Sequence, residues 1–361
     1  MKKLLIASVL FACQSAAAIT LDQLSVPPGF NIGFFAEEVA SARQMALSDS
    51  GIVYAGSMNA GNVYALQDKD NDGKADSRWL IAKGLKRPSG IAYKDGDLYV
   101  ADIDRILRFK DIDANLEQPK SEVFFSDLPD DMHHGWKFLR FAPNGDLIIP
   151  VGAPCNVCQA PTKKHSRLFS LNMKTKKLTE IARGVRNSVG FDFHPISGEL
   201  WFSENGADMM GDDVPPDEIN RLTKAGSHFG YPYFHAGDIA DPKFGKGKKH
   251  QDYVHPELKL GAHVAPLGIH FYRGKQFPSA YRQQLFIAEH GSWNRTKKSG
   301  YKVGVASLQG SKVTGYRPFV TGFMKDEKTF GRPAAVLELK DGSLLISDDY
   351  ADAIYRVTYG D

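Results

Sequence analysis

Short hydrophobic segments recur along the chain at a spacing of about 40–50 residues, with polar residues between them. Each copy opens on a basic or small residue, enters a hydrophobic segment, turns at a loop and continues into a second hydrophobic segment. The six copies begin at Arg43, Arg87, His134, Arg186, Ala265 and Arg332. A closing strand follows each copy, starting at Val63, Ile106, Leu168, Ile219, Val303 and Ile354. The pattern predicts an all-β, six-bladed β-propeller with long loops on the active-site face.

Glycine-containing dipeptides stand between the first and second strands of four copies. They are Asp95-Gly96, Asn144-Gly145, Ser197-Gly198 and Asp341-Gly342. Such dipeptides are typical of two-residue hairpin loops. A hairpin loop at one end of a blade places the start of the first strand at the opposite end. The loop that follows the second strand lies at that same opposite end.

Five of the six opening residues are basic, and the hairpins place them around one channel mouth. They are Arg43, Arg87, His134, Arg186 and Arg332. Taken singly, each is explained by hydrogen bonds to a neighbouring blade. Together they repel one another unless an anion lies between them, and a guanidinium group suits a carboxylate or a phosphate. The ring therefore predicts a small polyanionic ligand in the channel mouth.

Two acid-rich segments offer the oxygen ligands that Ca²⁺ prefers. The first, Ser203 to Asn220, combines carboxylates with glycines on the face that carries the basic ring, although a solvated acidic loop has the same composition. The second carries Asp68, Asp70, Asp72 and Asp76. Gly73 stands at its sharp turn, but Trp79 occupies the position where a calcium loop needs a bidentate Glu. We interpret it as an outer-strand hairpin with weak calcium affinity at most.

The N-terminus has the pattern of a secretion signal. Two lysines precede the apolar run Leu4 to Ala12, and the small residues Ala16 to Ala18 follow. That run is too short for a bilayer span, which needs about 20 residues. The predicted domains are a signal peptide, residues 1–18, and the propeller, residues 19–361. The expected location is periplasmic or secreted; lipid attachment at Cys13 is the alternative, which the bulky Phe11 disfavours.

Composition adds exclusions rather than a function. The chain has 361 residues, of which 42% are hydrophobic, and a formal net charge of +3. Its mean hydropathy of −0.32 is that of a globular protein. No basic stripe with interleaved aromatic residues is present in the sequence, so we expect no nucleic-acid partner.

Cys155 and Cys158 are separated by two residues. In an exported protein such a pair predicts a local disulfide. A c-type haem needs His after the second Cys, where Gln159 stands, and no further zinc ligands show a suitable spacing. A redox-active pair stays open as an alternative. His134 is the titratable residue among the opening residues, which makes it the candidate general base.

Several motifs resemble those of the soluble quinoprotein sugar dehydrogenases, in the branch that contains sorbosone dehydrogenase-like proteins. The motifs are HHGWKFLRFAPNGDL, GAPCNVC, RGVRNSVGFDFHP, SENGADMMGDD, PPDEINRL, AEHGSWNR and GRPAAV. The resemblance extends from about Leu21 to Tyr359. It implies a six-bladed propeller that binds pyrroloquinoline quinone (PQQ) and Ca²⁺ and oxidises aldose sugars or related aldehydes outside the cytoplasm.

The resemblance also implies roles for individual residues. His134 matches the catalytic base, Arg186 and Asn187 match the pair that contacts the quinone, and Arg332 matches an Arg that binds a quinone carboxylate. Asn205 stands where the family has Gln at the cofactor. The implied calcium region comprises the carbonyl groups of Gly206 and Ala207 and the side chain of Asp217.

The sequence also departs from the family pattern. His133 stands where the glucose-oxidising members have an Asp, and Ala334 where some members have a second Arg. AEHGSWNR replaces the segment that supplies a quinone-binding Lys, so we assign that role to His290 and Arg295. The substrate side therefore resembles the glucose enzymes less than the cofactor side does.

These inferences predict a PQQ- and calcium-dependent dehydrogenase for an aldose sugar or a sorbosone-like aldehyde. His134 takes the proton, Arg186 stabilises developing negative charge, and an external cytochrome or the quinone pool takes the electrons. Two alternatives remain, because propellers host many functions. One is a calcium-dependent lactonase-type hydrolase, which does not need the ring of arginines. The other is a non-enzymatic binding propeller, which does not need His134.

Overall fold

The computed structural model describes residues 19–360. The predicted signal peptide and the alternative lipid-attachment residue Cys13 lie outside this range. The described residues form six mainly antiparallel sheets, two short hairpins and short 3-10 helices. The sheets are the blades of a propeller, so the fold predicted from the repeats is confirmed. No helix among residues 19–360 has the length and apolar character needed to cross a bilayer.

Each of the first three blades is built from consecutive strands that run outward from the channel. Blade 1 contains Ala42–Leu47, Val53–Ser57, Val63–Gln67 and Ser77–Ala82. Blade 2 contains Ile91–Lys94, Asp97–Asp102, Arg105–Phe109 and Ser121–Phe125. Blade 3 contains Arg140–Phe141, Leu147–Val151, Arg167–Leu171 and Leu178–Arg183, with Ser227–His228 added in parallel at its outer edge.

The remaining blades follow the same plan. Blade 4 contains Phe191–Phe193, Leu200–Glu204, Pro216–Leu222 and Leu258–Ala262. Blade 5 contains Pro266–Phe271, Leu285–Glu289, Lys302–Gln309 and Lys312–Val320. Blade 6 contains Pro333–Glu338, Leu344–Asp348, Ala353–Tyr359 and Phe30–Ala36. The two hairpins are Phe234–His235 with Ile239–Ala240 and Met324–Lys325 with Lys328–Thr329. The 3-10 helices are Leu21–Gln23, Ile112–Ala114, His250–Asp252 and Ser279–Tyr281.

Blade 6 joins the two ends of the chain. Its outer strand Phe30–Ala36 pairs antiparallel with Ala353–Tyr359, in a register that sets Phe30 opposite Tyr359. The N-terminal strand therefore closes the ring. Because the ring of blades is closed, every inner strand lies between two neighbouring blades. Only the outer strand of each blade then has an exposed edge.

The hairpin prediction is correct at one turn and wrong at three. Asp95-Gly96 forms a two-residue loop between Lys94 and Asp97, and both loop residues have positive φ, 52° and 87°. At Asn144-Gly145, only the glycine has a positive φ, and strand pairing stops at Phe141 and Leu147. Ser197-Gly198 and Asp341-Gly342 likewise lie in longer loops. A two-residue type I′ turn needs positive φ at both positions, which these dipeptides do not have.

The second strands carry the core. Val53–Ser57, Leu147–Val151, Leu200–Glu204, Leu285–Glu289 and Leu344–Asp348 are buried along their whole length. Continuous burial, rather than alternation, follows because both faces of each sheet pack on neighbouring blades. The hydrophobic clusters accordingly join residues of adjacent blades, as Tyr54 of blade 1 and Val100 of blade 2 show. This packing fixes the ends of the inner strands around the channel.

Candidate active site

The channel mouth holds a cavity of about 260 Å³ where the inner strands begin. It is lined by Arg43, His134, Trp136, Arg186, Asn187, Asn205, Gly206, Asp208, Asp217, His263, Ala265, Leu267, His290, Gly291, Trp293 and Arg332. Residues from every blade except the second contribute to its wall. Four of the five basic opening residues therefore meet at one place. The fifth, Arg87, donates to the carbonyl of Met132 and lies 5.4 Å from the Trp136 ring, behind the cavity wall.

Three opening residues have left-handed backbones. The φ values of Arg87, His134 and Ala265 are 50°, 50° and 52°. A non-glycine residue in this region costs about 1–2 kcal/mol, which the surrounding contacts must offset. Such strain is concentrated at functional sites, and here it lies around the channel mouth.

His134 has a fixed tautomer. Its Nδ1 lies 2.9 Å from the carbonyl oxygen of Ala153. Because a carbonyl group only accepts, Nδ1 carries the proton and Nε2 has a free lone pair. Burial, followed by the positive charge of Arg186 and by His133, lowers the pKa of His134 to about 2. The neutral imidazole can therefore accept a proton through Nε2.

Gly152 permits this arrangement. A Cβ atom on Gly152 would lie 2.6 Å from Cβ of His134 and 3.2 Å from the carbonyl oxygen of Arg186. Both distances are shorter than a normal contact, so any side chain here displaces one of the two residues. Trp136 packs on the imidazole from another side, with ring centres 5.8 Å apart.

Arg186 is held by the loop between the two cysteines. Its Nε donates to the carbonyl of Asn156 at 2.8 Å, and its NH2 donates to Oδ1 of Asn156 at 2.8 Å and to Asp208 at 2.9 Å. Its NH1 donates to the carbonyl of Asn205 at 3.0 Å. Cys155 and Cys158 flank Asn156 and form the predicted disulfide. Four of the five guanidinium N–H groups are thus used, and one remains for a ligand.

Arg43 and Arg332 keep more of their donors free. Nε of Arg43 lies 2.7 Å from a carboxylate oxygen of Asp349 as an ion pair without hydrogen-bond geometry, and no N–H group of Arg43 donates a hydrogen bond within residues 19–360. Arg332 donates through Nε to the carbonyl of His290 at 3.1 Å and through NH2 to that of Gly291 at 2.5 Å. Its three other N–H groups are free of partners in the same range. Both guanidinium groups can therefore bind oxygen atoms of an anion in the cavity.

His290 lies in the cavity wall as a neutral side chain. Its Nε2 donates to Asp349 at 2.6 Å. Burial lowers the pKa of His290 to about 4 in spite of the carboxylate. Burial alone would raise the pKa of Asp349, but Arg43 and His290 outweigh it and hold that pKa well below its usual range. The positive charge on this side of the cavity is therefore that of Arg43 and Arg332, not that of His290.

Gly206 and Ala207 form an oxygen-rich corner. Asp217 accepts from the Gly206 N–H at 2.6 Å and from the Ala265 N–H at 2.8 Å. Ala207 is completely buried, and no group of residues 19–360 donates to its carbonyl oxygen or to that of Gly206. Buried carbonyl groups without donors are rare, and a cation satisfies them. Burial raises the pKa of Asp217 to about 6.

Two predicted site residues do not line the cavity. Ala207 is buried behind Gly206. Arg295 lies in the loop outside, where it binds the carbonyl groups of Asp212 and Lys297 and the carboxylate of Asp213. The negative charge of the acid-rich loop holds its guanidinium away from the cavity wall.

Sequence reasoning missed several residues of the site. They are Trp136, Asn156, Asp208, His263, Trp293 and Asp349. Trp136 and Trp293 lie inside motifs that had been singled out, so their aromatic side chains were an available signal. Asn156 and Asp349 act through contacts with distant residues, and no local pattern marks such contacts.

The TrAA12-like family model matches residues 24–356, which is nearly the whole chain. The chain belongs to the TrAA12-like family. A relative of this TrAA12-like chain is an uncharacterised protein of Borreliella burgdorferi, 39% identical over 371 residues that cover 98% of this chain and 95% of the relative. The recognition of a quinoprotein sugar dehydrogenase-like sequence from its motifs is confirmed.

Solved structures share the fold of the TrAA12-like chain. The calcium structure of the Trichoderma reesei carbohydrate-active enzyme of family AA12 superimposes with a TM-score of 0.80 at 19% identity, over 93% of this chain and 97% of that one. The holo PQQ domain of pyranose dehydrogenase from Coprinopsis cinerea gives 0.78 at 17% identity, over 96% and 99%. The apo-form aldose sugar dehydrogenase of Escherichia coli gives 0.68 at 19%, over 91% and 99%. Identities this low bear on the fold.

Proposed function

We propose that the cavity binds PQQ together with Ca²⁺ and that the protein oxidises an aldose sugar or a related, sorbosone-like aldehyde. The observation that carries the proposal is that three guanidinium groups, the oxygen-bearing residues Gly206 and Asp217, and a neutral His134 line one cavity. Membership of the TrAA12-like family supports it, and the structural neighbours include a holo PQQ domain and a calcium structure of family AA12. We further propose a location outside the cytoplasm, on the basis of the N-terminal signal pattern.

The donors present in the cavity suit the quinone. PQQ carries three carboxylates, and Arg43, Arg186 and Arg332 retain N–H groups that can bind them. Asn187 and Asn205 add neutral amides at the same wall. A bound trianion would also offset the repulsion among the guanidinium groups. Arg43 and Arg332 take the part that we had assigned to Arg295.

The corner at Gly206 and Ala207 suits calcium. Its oxygens are two carbonyl groups and the Asp217 carboxylate, which are the hard ligands that Ca²⁺ prefers. Asp217 also holds the Gly206 N–H, so the same side chain orients the loop that carries the carbonyl groups. When bound, the quinone supplies the hydride acceptor and the calcium ion polarises its carbonyl groups.

The protein's own residues supply proton transfer and positioning. Nε2 of His134 accepts the proton of the sugar hydroxyl that is oxidised, while the Ala153 carbonyl holds Nδ1–H and keeps the imidazole oriented. Arg186 stabilises negative charge that develops nearby. The same positive charge lowers the pKa of His134, so an anionic ligand beside Arg186 makes the imidazole a stronger base. Trp293, 68% exposed at the rim, offers a flat apolar surface to a sugar ring.

The deciding experiment adds PQQ and Ca²⁺ to purified residues 19–361 and follows dye reduction with a panel of aldoses and aldehydes. We expect turnover that needs both additions and stops with a calcium chelator. An absorbance titration measures quinone binding in parallel. Absence of turnover together with absence of quinone binding contradicts the proposal. Lactone hydrolysis that needs only Ca²⁺ would favour the hydrolase alternative, because that reaction does not use the guanidinium groups.

A further inference from the structure

A strongly basic loop follows the hairpin formed by Phe234–His235 and Ile239–Ala240. Residues 242–251, the lysine loop, contain Lys243, Lys246, Lys248 and Lys249 and no carboxylate. All four lysines are exposed, and none forms an ion pair with a carboxylate of residues 19–360. The charge stands out on a chain whose formal net charge is only +3.

Buried contacts hold the lysine loop in place. Asp241, just before the loop, accepts from the backbone N–H groups of Lys243 and Phe244 at 2.9 and 2.8 Å. The same carboxylate lies 3.1 Å from Nε2 of His235, and both side chains are buried. The neighbouring Ala236 N–H donates to Glu218, which follows the site residue Asp217. The charges are therefore presented on a rigid base that is tied to the strand of the active site.

A short chain of contacts connects this loop to Arg186. The Lys248 ammonium lies 4.7 Å from the Tyr233 ring. Two residues earlier, the hydroxyl of Tyr231 accepts from the Cys158 N–H at 3.0 Å and lies 3.4 Å from the carbonyl of Asn156. Asn156 in turn holds Arg186 in the cavity wall. The loop is thus connected to the cavity wall through Tyr233, Tyr231 and Asn156.

Further basic side chains lie next to Tyr231 and Tyr233. Arg167, Arg183 and His228 line a second cavity, of about 260 Å³, next to Tyr231 and Tyr233. Burial, followed by the charges of Arg183 and Arg167, lowers the pKa of His228 to about 4. Glu180 lies 2.6 Å from Arg167 and 3.8 Å from Arg183, so the lysine loop carries the charge without carboxylate partners, and this charge favours a negatively charged partner.

We infer that the lysine loop is the docking surface for an acidic one-electron redox protein, which removes the electrons that substrate oxidation leaves in the cavity. The inference rests on the proposed function. Oxidation of one sugar hydroxyl to a carbonyl releases two electrons and two protons. Two oxidised haem or blue-copper centres take one electron each, and water takes the protons.

A membrane surface is the weaker partner for this loop. Surface-binding segments insert exposed apolar side chains between their basic residues. None of the large exposed hydrophobic residues of the described chain lies within residues 242–251. A fixed pattern of charges without apolar anchors suits a protein surface, whose carboxylates are also fixed.

The first test measures binding, without PQQ, of the acidic blue-copper protein plastocyanin, with basic cytochrome c as the opposite probe. We expect plastocyanin to bind at low salt, to bind more weakly as salt rises, and to bind better than cytochrome c. Changing the four loop lysines to Glu should weaken plastocyanin binding by about tenfold or more. The matched control changes Lys120, Lys174, Lys177 and Lys312, four exposed lysines outside the lysine loop, to Glu. It has the same net charge and should bind nearly as the unmodified protein does.

Equal losses in both variants overturn the inference, because they show an effect of net charge alone. Unchanged binding in the loop variant also overturns it, as does binding to phosphatidylglycerol vesicles without affinity for plastocyanin. With PQQ and Ca²⁺ added, the loop variant should keep its turnover with a neutral dye and lose turnover with plastocyanin. If the unmodified protein turns over with the dye but the loop variant still reduces plastocyanin normally, the docking surface is rejected and the proposed function stands. Absence of dye turnover in the unmodified protein rejects the proposed function instead.

Discussion

Asp349 lies between Arg43 and His290, with its two carboxylate oxygens 2.7 Å from Nε of Arg43 and 2.6 Å from Nε2 of His290. One carboxylate thus orients two side chains of the cavity wall that are far apart in sequence. The remaining guanidinium donors of Arg43 have no partner among residues 19–360 and are available to a ligand. This arrangement makes Arg43 the cation in the place where the sequence comparison had suggested His290 and Arg295.

Replacing Arg43 by Lys tests that assignment. The positive charge stays, but the planar fork and the Nε contact with Asp349 are lost, so we expect PQQ affinity to fall about tenfold. An absorbance or fluorescence titration with PQQ measures the change. Arg295→Lys is the matched control and should leave the affinity unchanged, because Arg295 binds the outer loop. A larger loss of PQQ affinity in Arg295→Lys than in Arg43→Lys would assign quinone binding to Arg295 instead.

His134→Asn tests proton transfer. Asn tolerates the left-handed backbone at this position, where φ is 50°, so the variant should fold. We expect kcat to fall by roughly 10²–10⁴ while PQQ binding is kept, because the general base is lost and the guanidinium groups remain. Dye-reduction kinetics and quinone titration on the same preparation separate the two. A variant with normal kcat would remove His134 from the mechanism.

The pH dependence of stability follows from buried histidines such as His228. Burial and the nearby guanidinium groups lower its pKa to about 4, below the unfolded value of about 6.5. The folded state therefore binds fewer protons, so the stabilisation is present above pH about 6.5 and is lost as the pH falls towards about 4. Thermal unfolding across this range should show the midpoint falling with pH. His228→Asn should reduce the pH-dependent change in the free energy of unfolding by an amount of the order of 2 kcal/mol. If the variant shows the same pH dependence as the unmodified protein, other groups cause that dependence.

Substitution of Asp192 should lower the stability of the protein strongly. This buried carboxylate contacts Arg140 at 2.7 Å and Arg273 at 2.9 Å, which joins blades 3, 4 and 5. Asp192→Ala leaves two guanidinium groups without their carboxylate, so we expect a loss of about 3–5 kcal/mol in the free energy of unfolding. Denaturant unfolding measures it. Asp238→Ala, which removes an exposed partner of Lys259, should change the same quantity little.

The disulfide should matter for the quinone site. Asn156 stands between Cys155 and Cys158 and makes two hydrogen bonds to Arg186. Changing both cysteines to Ser removes the cross-link that closes this loop, so we expect PQQ affinity to fall severalfold. The circular dichroism of the β-sheets should change less. Titration of the double variant and of the reduced protein tests this. If the double variant and the reduced protein both bind PQQ as tightly as the unmodified oxidised protein, the blade alone orients Asn156.

Much of the cofactor side could be predicted from sequence. His134, Arg186, Asn187, Asn205, Gly206 and Arg332 follow the repeat boundaries or the motifs, and the structure brings them together in one cavity. Arg295 and Arg87 could not be assigned in this way. Each lies close to the site in sequence, but the carboxylate of Asp213 holds the first outside, and the carbonyl of Met132 binds the second.

The sequence by itself determined the number of blades, the positions of their buried strands and the face on which the basic residues lie. These properties are local, because a strand's hydrophobic segment and its turn residues are read within one repeat. Only the tertiary structure decided which arginines keep free donors, that Asp349 pairs with Arg43, and that Phe30–Ala36 completes blade 6. Such pairings join residues hundreds of positions apart, and their energies depend on burial and on competing partners, which no local pattern contains.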